Sequence, residues 1–532
     1  MTAAARRAPR RDEGFAVVAV LFTGLMLTLF LLVAMTTVLR GAHLGRVDQD
    51  GKIAVAAAQA GIEDFVSRLN GDPDYWRLGN DDPANAAFGA GRAVPGTGGI
   101  AGRYAYRVLS EFDETARTGV VRVLVTGTSS PGEGRSGASR SFTATVKPRT
   151  FLDFAYLSDI EVIDPVLTGA DPACANYAYG PSDRTGLDCP SIIWKAGDRV
   201  DGPVHSNDAL TIDSAVDFTN SRTESSWPAI EGADADTKTW LGAATTLAGH
   251  RPVHAPALPL PEANTQLVTH VAPDVDGDGI EGPGCYYTGA TRIVLEGATM
   301  RVFSPSTSRT DTPDRCLSVA SRSVEQVKPI PPVIYVDAGT EPCATGDIGY
   351  PVPGEAVTAG APDASAWGRT TNYDCRRGSV YVKGVVGTKV TVAAADDVVV
   401  TGDLTLADGG SGDDVAGLIA GNDVWVHHPV DSAGENLAGA PVVSTIQAAI
   451  LSLRHSFVVQ NWDSGAPLGR LHLLGALGQK LRGPVGATNP GTGETSGYLK
   501  DYRYDTRYQT VQPPYYLKPA ANVWQVLSVT DR

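Results

Sequence analysis

Asp274, Asp276 and Asp278 alternate in the run Asp274-Val275-Asp276-Gly277-Asp278-Gly279. Alternate carboxylates converge on one cation while a glycine permits the sharp turn, which is how a calcium loop opens. An EF-hand would place a bidentate Glu at the twelfth position, which here is Cys285. Glu281 stands nearby as a substitute. The expectation is a structural Ca2+ site of Asp274, Asp276, Asp278 and Glu281 that fixes a long insertion, with a plain acidic surface turn as the other reading. A second cluster lies in the stretch 197–208, GDRVDGPVHSND, where Asp198, Asp201, His205, Asn207 and Asp208 supply acid/base side chains. Paired carboxylates on neighbouring strands would suit glycoside cleavage. Asp-Gly and Asn-Asp are also ordinary turn chemistry, so the expectation is a structural role. His427 and His428 are adjacent, and in a strand their rings face opposite sides, so no shared metal is expected. No GxSxG, HExxH, P-loop or suitably placed GxGxxG occurs. No catalytic residue is assigned, and the expectation is a non-enzymatic protein.

The six cysteines are Cys174, Cys189, Cys285, Cys316, Cys343 and Cys375. Their even number and the lack of CxxC point to disulfides in an oxidising compartment rather than zinc. Nearest-neighbour pairing, Cys174 with Cys189, Cys285 with Cys316 and Cys343 with Cys375, closes the shortest loops and is the preferred connectivity. Buried free thiols are the alternative.

The elements that hold these residues are β-strands. The chain has 532 residues with 59 glycines and 35 prolines, which suits many short strands and turns. Its net charge of −15 leaves no general footprint for nucleic acid. From residue 151 onward, apolar β-branched bursts alternate with Gly, Asp and Asn turns, most clearly over 379–407, SVYVKGVVGTKVTVAAADDVVVTGDLTLA. Such bursts predict a parallel β-solenoid (right-handed β-helix-like), with a β-sandwich pair as the alternative. The stretches 217–275 and 338–375 read as insertions. The aromatic stretch 498–524 is expected to wrap the open end of the core, with a ligand-binding aromatic surface as the alternative. Before the body, 103–109, 119–126 and 139–146 alternate as strands of a small antiparallel sheet, expected to pack against the helix that ends near Leu69.

The N-terminal element has another character. Residues 15–39, FAVVAVLFTGLMLTLFLLVAMTTVL, carry no charge. As a helix they span roughly 37 Å, enough to cross a bilayer. Arg6, Arg7, Arg10 and Arg11 precede them, which places the N-terminus in the cytoplasm and the body outside. Val55, Ala58, Ile62, Phe65, Val66 and Leu69 then recur at helical spacing up to Asn70 and Gly71. Gly41, Gly45 and Gly51 weaken the middle and predict a flexible joint there. The resulting division is a basic cytoplasmic leader at 1–14, a transmembrane helix at 15–39, its extension at 40–70 and a linker at 71–102. A small antiparallel β domain follows at 103–150, then a solenoid-like body at 151–490 and an aromatic C-terminal cap at 491–532.

The leader RRAPRRDEG, the apolar run opening at Phe15 and the stretch AVAAAQAGIEDFVSRL at 54–69 resemble the type IV prepilin-like proteins, specifically the N-terminal region of the PilX family. The resemblance covers about one eighth of the chain. It implies cleavage by a prepilin peptidase between Gly14 and Phe15, with the apolar helix retained to pack in the membrane or in a filament core. It also implies other pilin-like subunits, the pilus assembly machinery and the lipid bilayer as partners. Two positions depart from the family pattern. Glu13 stands where a basic residue is usual, and Ala19 stands at the fifth mature position, where major pilins carry Glu. These departures point to a minor or tip subunit with a role in assembly or adhesion. The alternatives are a membrane-tethered β-helix enzyme acting on carbohydrate and a plain anchored surface scaffold.

Overall fold

The computed structural model of the chain describes residues 13–80, 82, 86–89, 91–94, 102–111, 119–129, 137–178, 184, 186–190, 192–212, 216–218, 222–226, 240–242, 253–272, 281–309, 312, 314–340, 348–356, 373–488, 495–509, 511–520 and 523–532. They are mainly β, with one long N-terminal helix. The chain divides into two units, Met1–Pro148 with Trp524–Arg532, and Arg149–Val523.

The first unit starts with α1, Glu13–Gly71, a helix of 59 residues and about 88 Å. It has two halves of opposite character. Every large apolar side chain from Val17 to Val47 is exposed, between 48% at Leu29 and 73% at Phe30. From Ala54 onward, Ala54, Ala57, Ala58, Ile62, Phe65 and Leu69 are buried, at the spacing of one helical face. That face lies on an antiparallel sheet whose strand order is Arg92–Ala93, Gly102–Val108, Val121–Ser129, Ser139–Pro148 and Trp524–Asp531. Val121, Val123 and Val125 alternate inward toward it. Backbones approach closely where side chains are small. A Cβ on Gly127 would lie 2.0 Å from the Ala54 carbonyl oxygen, and one on Gly61 would lie 2.7 Å from Val125 Cγ1.

Three expectations meet a different outcome here. α1 runs unbroken through Gly41, Gly45 and Gly51, because a helical glycine costs only about 1 kcal/mol and the flanking residues hold the ladder. Tyr75, Trp76, Ala87 and Phe88, from the stretch read as a linker, are buried in the core of the first unit. The C-terminal stretch is not a terminal cap as a whole. Tyr498 and Tyr502 are buried in the body's main core, and Trp524–Asp531 forms the last strand of the first unit's sheet.

In the second unit most strand pairs are parallel. One series runs Val333–Asp337, Lys389–Ala394, Val415–Ala420, Thr445–Ser452, Gly469–Leu481, Tyr156–Ile160, Val204–Ser206 and Thr223–Ser225. A second runs Thr291–Gly297, Val380–Val386, Val398–Leu406, Val424–Val426 and Phe457–Val459. Both faces of the second series are covered. Val380, Val382, Val398, Val400, Val424 and Val426 join the main core, while Tyr381, Val399, Trp425 and Val458 form another cluster under Leu167. This double burial explains why the sequence reads as unbroken valine bursts rather than alternation. The sheet is mixed, since Thr299–Phe303, Gln326–Pro329 and Gly486–Thr488 pair antiparallel. Of the stretch 217–275, Thr223–Ser225 and Val253–His254 belong to the parallel ladder, and Leu258, Leu260 and Leu267 fill a second core.

Candidate membrane helix and buried polar clusters

α1 is the one described helix long and apolar enough to cross a membrane, over Ala16–Gly71, and its most apolar window is 0% buried. Its few polar groups are satisfied within the helix. Thr23 Oγ1 donates to the Ala19 carbonyl at 2.8 Å and Thr28 Oγ1 to that of Gly24 at 3.0 Å. Thr36 and Thr37 donate to the carbonyls of Val33 and Ala34, each at 2.8 Å. A hydroxyl that returns its hydrogen bond to the backbone can enter hydrocarbon without an orphaned donor. The bond between Gly14 and Phe15 falls in the first turn of α1, which begins at Glu13. The arginines Arg6, Arg7, Arg10 and Arg11 lie outside the described residues.

The acid/base cluster of 197–208 separates into closed pairs. Asp198 is fully buried and accepts from Lys500 Nζ at 2.9 Å, from the Lys500 amide at 3.0 Å and from the Lys195 amide at 3.1 Å. Burial opposes the Asp198 charge, but Lys500 outweighs it and holds the carboxyl below its ordinary range. Burial pushes Lys500 down to about 8. Asp208 binds Arg184 Nη1 at 2.7 Å and the Glu161 amide at 3.0 Å. His205 is buried between Glu224 at 3.4 Å and Asn207 Oδ1 at 2.9 Å, and Glu224 is paired with buried Arg149. Asp201 lies on Arg199–Asp201, which pairs with Thr495–Tyr504. Each buried carboxylate already holds protein donors.

His427 and His428 follow the strand Val424–Val426 and take different partners. His427 Nε2 is 3.5 Å from Glu355 Oε2, while His428 bonds the Gln460 carbonyl at 3.1 Å and Asn436 Oδ1 at 2.9 Å. Two further clusters are not singled out by the sequence. Glu161 accepts from Arg482 Nη1 at 2.8 Å and from the Tyr156 hydroxyl at 2.8 Å, and Arg482 stacks over Trp194, 4.4 Å from the ring centroid. Asp164, Asp397, Asp423 and His455 form the other. His455 Nδ1 is 2.6 Å from Asp164 Oδ2, and the Asp423 amide donates to Asp397 Oδ1 at 3.2 Å. Only the recurrence of Asp or Asn at successive strand ends, as at Asp396, Asp397, Asn422 and Asp423, hints at this second cluster.

Asp274, Asp276 and Asp278 lie outside the described residues, and Glu281 is exposed. Among the described residues no group of three or more His, Cys, Asp or Glu is placed to hold a metal ion. Cys174 is bonded to Cys189 and Cys285 to Cys316. Cys375 is also disulfide-bonded, and Cys343 lies outside the described residues.

No protein-family model matches the chain. No curated protein matches it either. Among solved structures, the competence-associated pilin ComZ from Thermus thermophilus aligns over 91% of this chain and 97% of its own, at 12% identity and a TM-score of 0.27. A likeness this distant carries no argument about fold or function.

Proposed function

We propose that the chain is a membrane-anchored, pilin-like surface protein, a minor or tip subunit whose body is a β-solenoid displayed outside the cytoplasm. One observation carries the reading. A single helix leaves the uncharged apolar run of its first half uncovered, and docks its second half on an antiparallel sheet. A soluble protein gains nothing from exposing such a surface, since each large apolar side chain costs about 1.5–3 kcal/mol to leave in water. Lipid, or the apolar helices of neighbouring subunits, covers it. The parallel ladders of the second unit support the solenoid, and the antiparallel strands then close its end. The body acts by display rather than catalysis, supported by the closed pairing of its buried carboxylates. A Ca2+ bound by Asp274, Asp276, Asp278 and Glu281 would hold its insertion.

The test is N-terminal sequencing and intact mass of the full chain from membranes, with and without a co-expressed prepilin peptidase. A mature chain starting at Phe15, seen only with the peptidase, is expected. An uncut chain in both preparations would leave a plain anchor, which the same exposed helix also fits.

A further inference from the structure

The turn that follows Tyr156–Ile160 reaches over the outer face of the second parallel series. Pro165–Thr168 is a single helical turn, and its Leu167, only 6% exposed, joins the apolar cluster of Tyr381, Val399, Trp425 and Val458. Asp164 opens this turn and is 1% exposed. Its Oδ1 accepts from the Val166 amide at 2.9 Å, and its Oδ2 meets His455 Nδ1 at 2.6 Å. His455 belongs to the connection between Thr445–Ser452 and Phe457–Val459, and its carbonyl is fixed by the Lys480 and Leu481 amides, each at 3.1 Å. The bond from Asp164 to His455 therefore joins a covering turn to the framework beneath it.

We propose that the turn 164–169 is a proton-controlled latch, docked while His455 carries a charge and loosened when that charge is lost. The surroundings of His455 are lopsided. On the turn side it faces Asp164. On the framework side it faces Asp423 and, beyond it, Asp397, all three carboxylates being buried. Arg377 Nη2 lies 3.2 Å from Asp396 and 3.4 Å from Asp397, at the far end of the column. Lys480 and Arg482, on the next strand, are engaged by Asp159 and Glu161, and Arg454 turns to Asn422 Oδ1 at 3.0 Å. Burial alone would strip the proton from His455. The hydrogen bond to Asp164 and the charges of Asp423, Asp164 and Asp397 outweigh burial and raise its pKa. Stabilisation from a raised histidine is fully present below its unfolded value and is lost as pH rises through the folded one. Asp397 and Asp423 are raised as well, chiefly by burial, so they titrate with the same sign. Acid therefore seats the turn and alkali lifts it, withdrawing Leu167 from the apolar cluster that it shares with Tyr381, Val399, Trp425 and Val458.

The measurement is hydrogen exchange of the full chain in detergent, expressed as protection factors so that the intrinsic pH dependence cancels. The peptides covering 164–169 and Val424–Val426 report the latch and the strand beneath it. Between about pH 6 and about pH 9, protection at 164–169 is expected to fall at least about tenfold. His455→Lys, whose ordinary pKa lies above this range, should show a smaller fall than the wild type. His455→Gln should show the low value at both pH values. Equal wild-type protection at both pH values would overturn the latch, as would the same fall in His455→Lys or an unchanged profile in His455→Gln.

Discussion

Arg482 is 1% exposed, and its guanidinium finds Glu161 at 2.8 Å and the face of Trp194. A buried pair of this kind stabilises little relative to a well-packed apolar substitute, yet breaking it leaves a charge with nowhere to go. Glu161→Gln is expected to destabilise the body by about 3–5 kcal/mol, seen as a lower urea midpoint, and Glu161→Leu with Arg482→Met should recover much of that loss. A double variant no better than the single one would count against pairing as the reason. Asp423 yields a prediction of different form. Burial lifts its pKa well above the usual carboxylate value, although the charge on His455 pulls it down, and Asp397 and Asp164 add to the rise. The folded chain thus binds this proton more tightly than the unfolded chain does. The stabilisation is complete below the ordinary carboxylate range and drains away as pH rises through the folded value. Asp423→Asn cannot ionise, so its melting temperature should drop less than that of the wild type between about pH 5 and about pH 9. Parallel curves would show that Asp423 is not the titrating group.

At the scale of elements, α1 contains two kinds of glycine with opposite expected responses. Gly41 and Gly45 have nothing within 4 Å of where a Cβ would lie, so Ala at either adds only helix propensity, about 1 kcal/mol in favour of the helix. Gly127 lies under α1, where a Cβ would meet the Ala54 oxygen at 2.0 Å and the Ala58 nitrogen at 2.4 Å. Gly127→Ala must lift the helix from the sheet and is expected to cost on the order of 1–3 kcal/mol, the usual range for overpacking. Protease cleavage within the docked half of α1 should be faster in Gly127→Ala and unchanged in Gly41→Ala; equal rates would mean that the close approach does not hold the helix down. Much of α1 was legible in the sequence because its signals are local. An uncharged apolar run is a membrane signal by itself, and Ala58, Ile62, Phe65 and Leu69 mark one face by spacing alone. That a small antiparallel sheet lies against that face was legible too, but the close approach of Gly127 to Ala54 was not, since it depends on tertiary placement. Glu161 and Arg482, separated by 321 residues, are invisible to local reading for the same reason.

At the scale of the whole molecule, the sheet of the first unit is completed from a distance. Ser139–Pro148 pairs antiparallel with Trp524–Asp531, and all of Arg149–Val523 lies between these neighbouring strands in the chain. The sequence offered no sign of this, because the last strand reads as an ordinary aromatic tail. Removing residues 524–532 is expected to destabilise the first unit while the body's unfolding midpoint stays where it was. A shift in the body's midpoint would mean that the two units unfold together. The same connectivity orders events during synthesis. α1 leaves the ribosome before the body, and its sheet waits with one edge open until hundreds of residues of body have followed. A chain that stops early, anywhere along the body, keeps Ser139–Pro148 as an unpaired edge, the kind of surface on which aggregation begins. Closure of the small sheet beside α1 thus reports that translation of everything between its last two strands has finished.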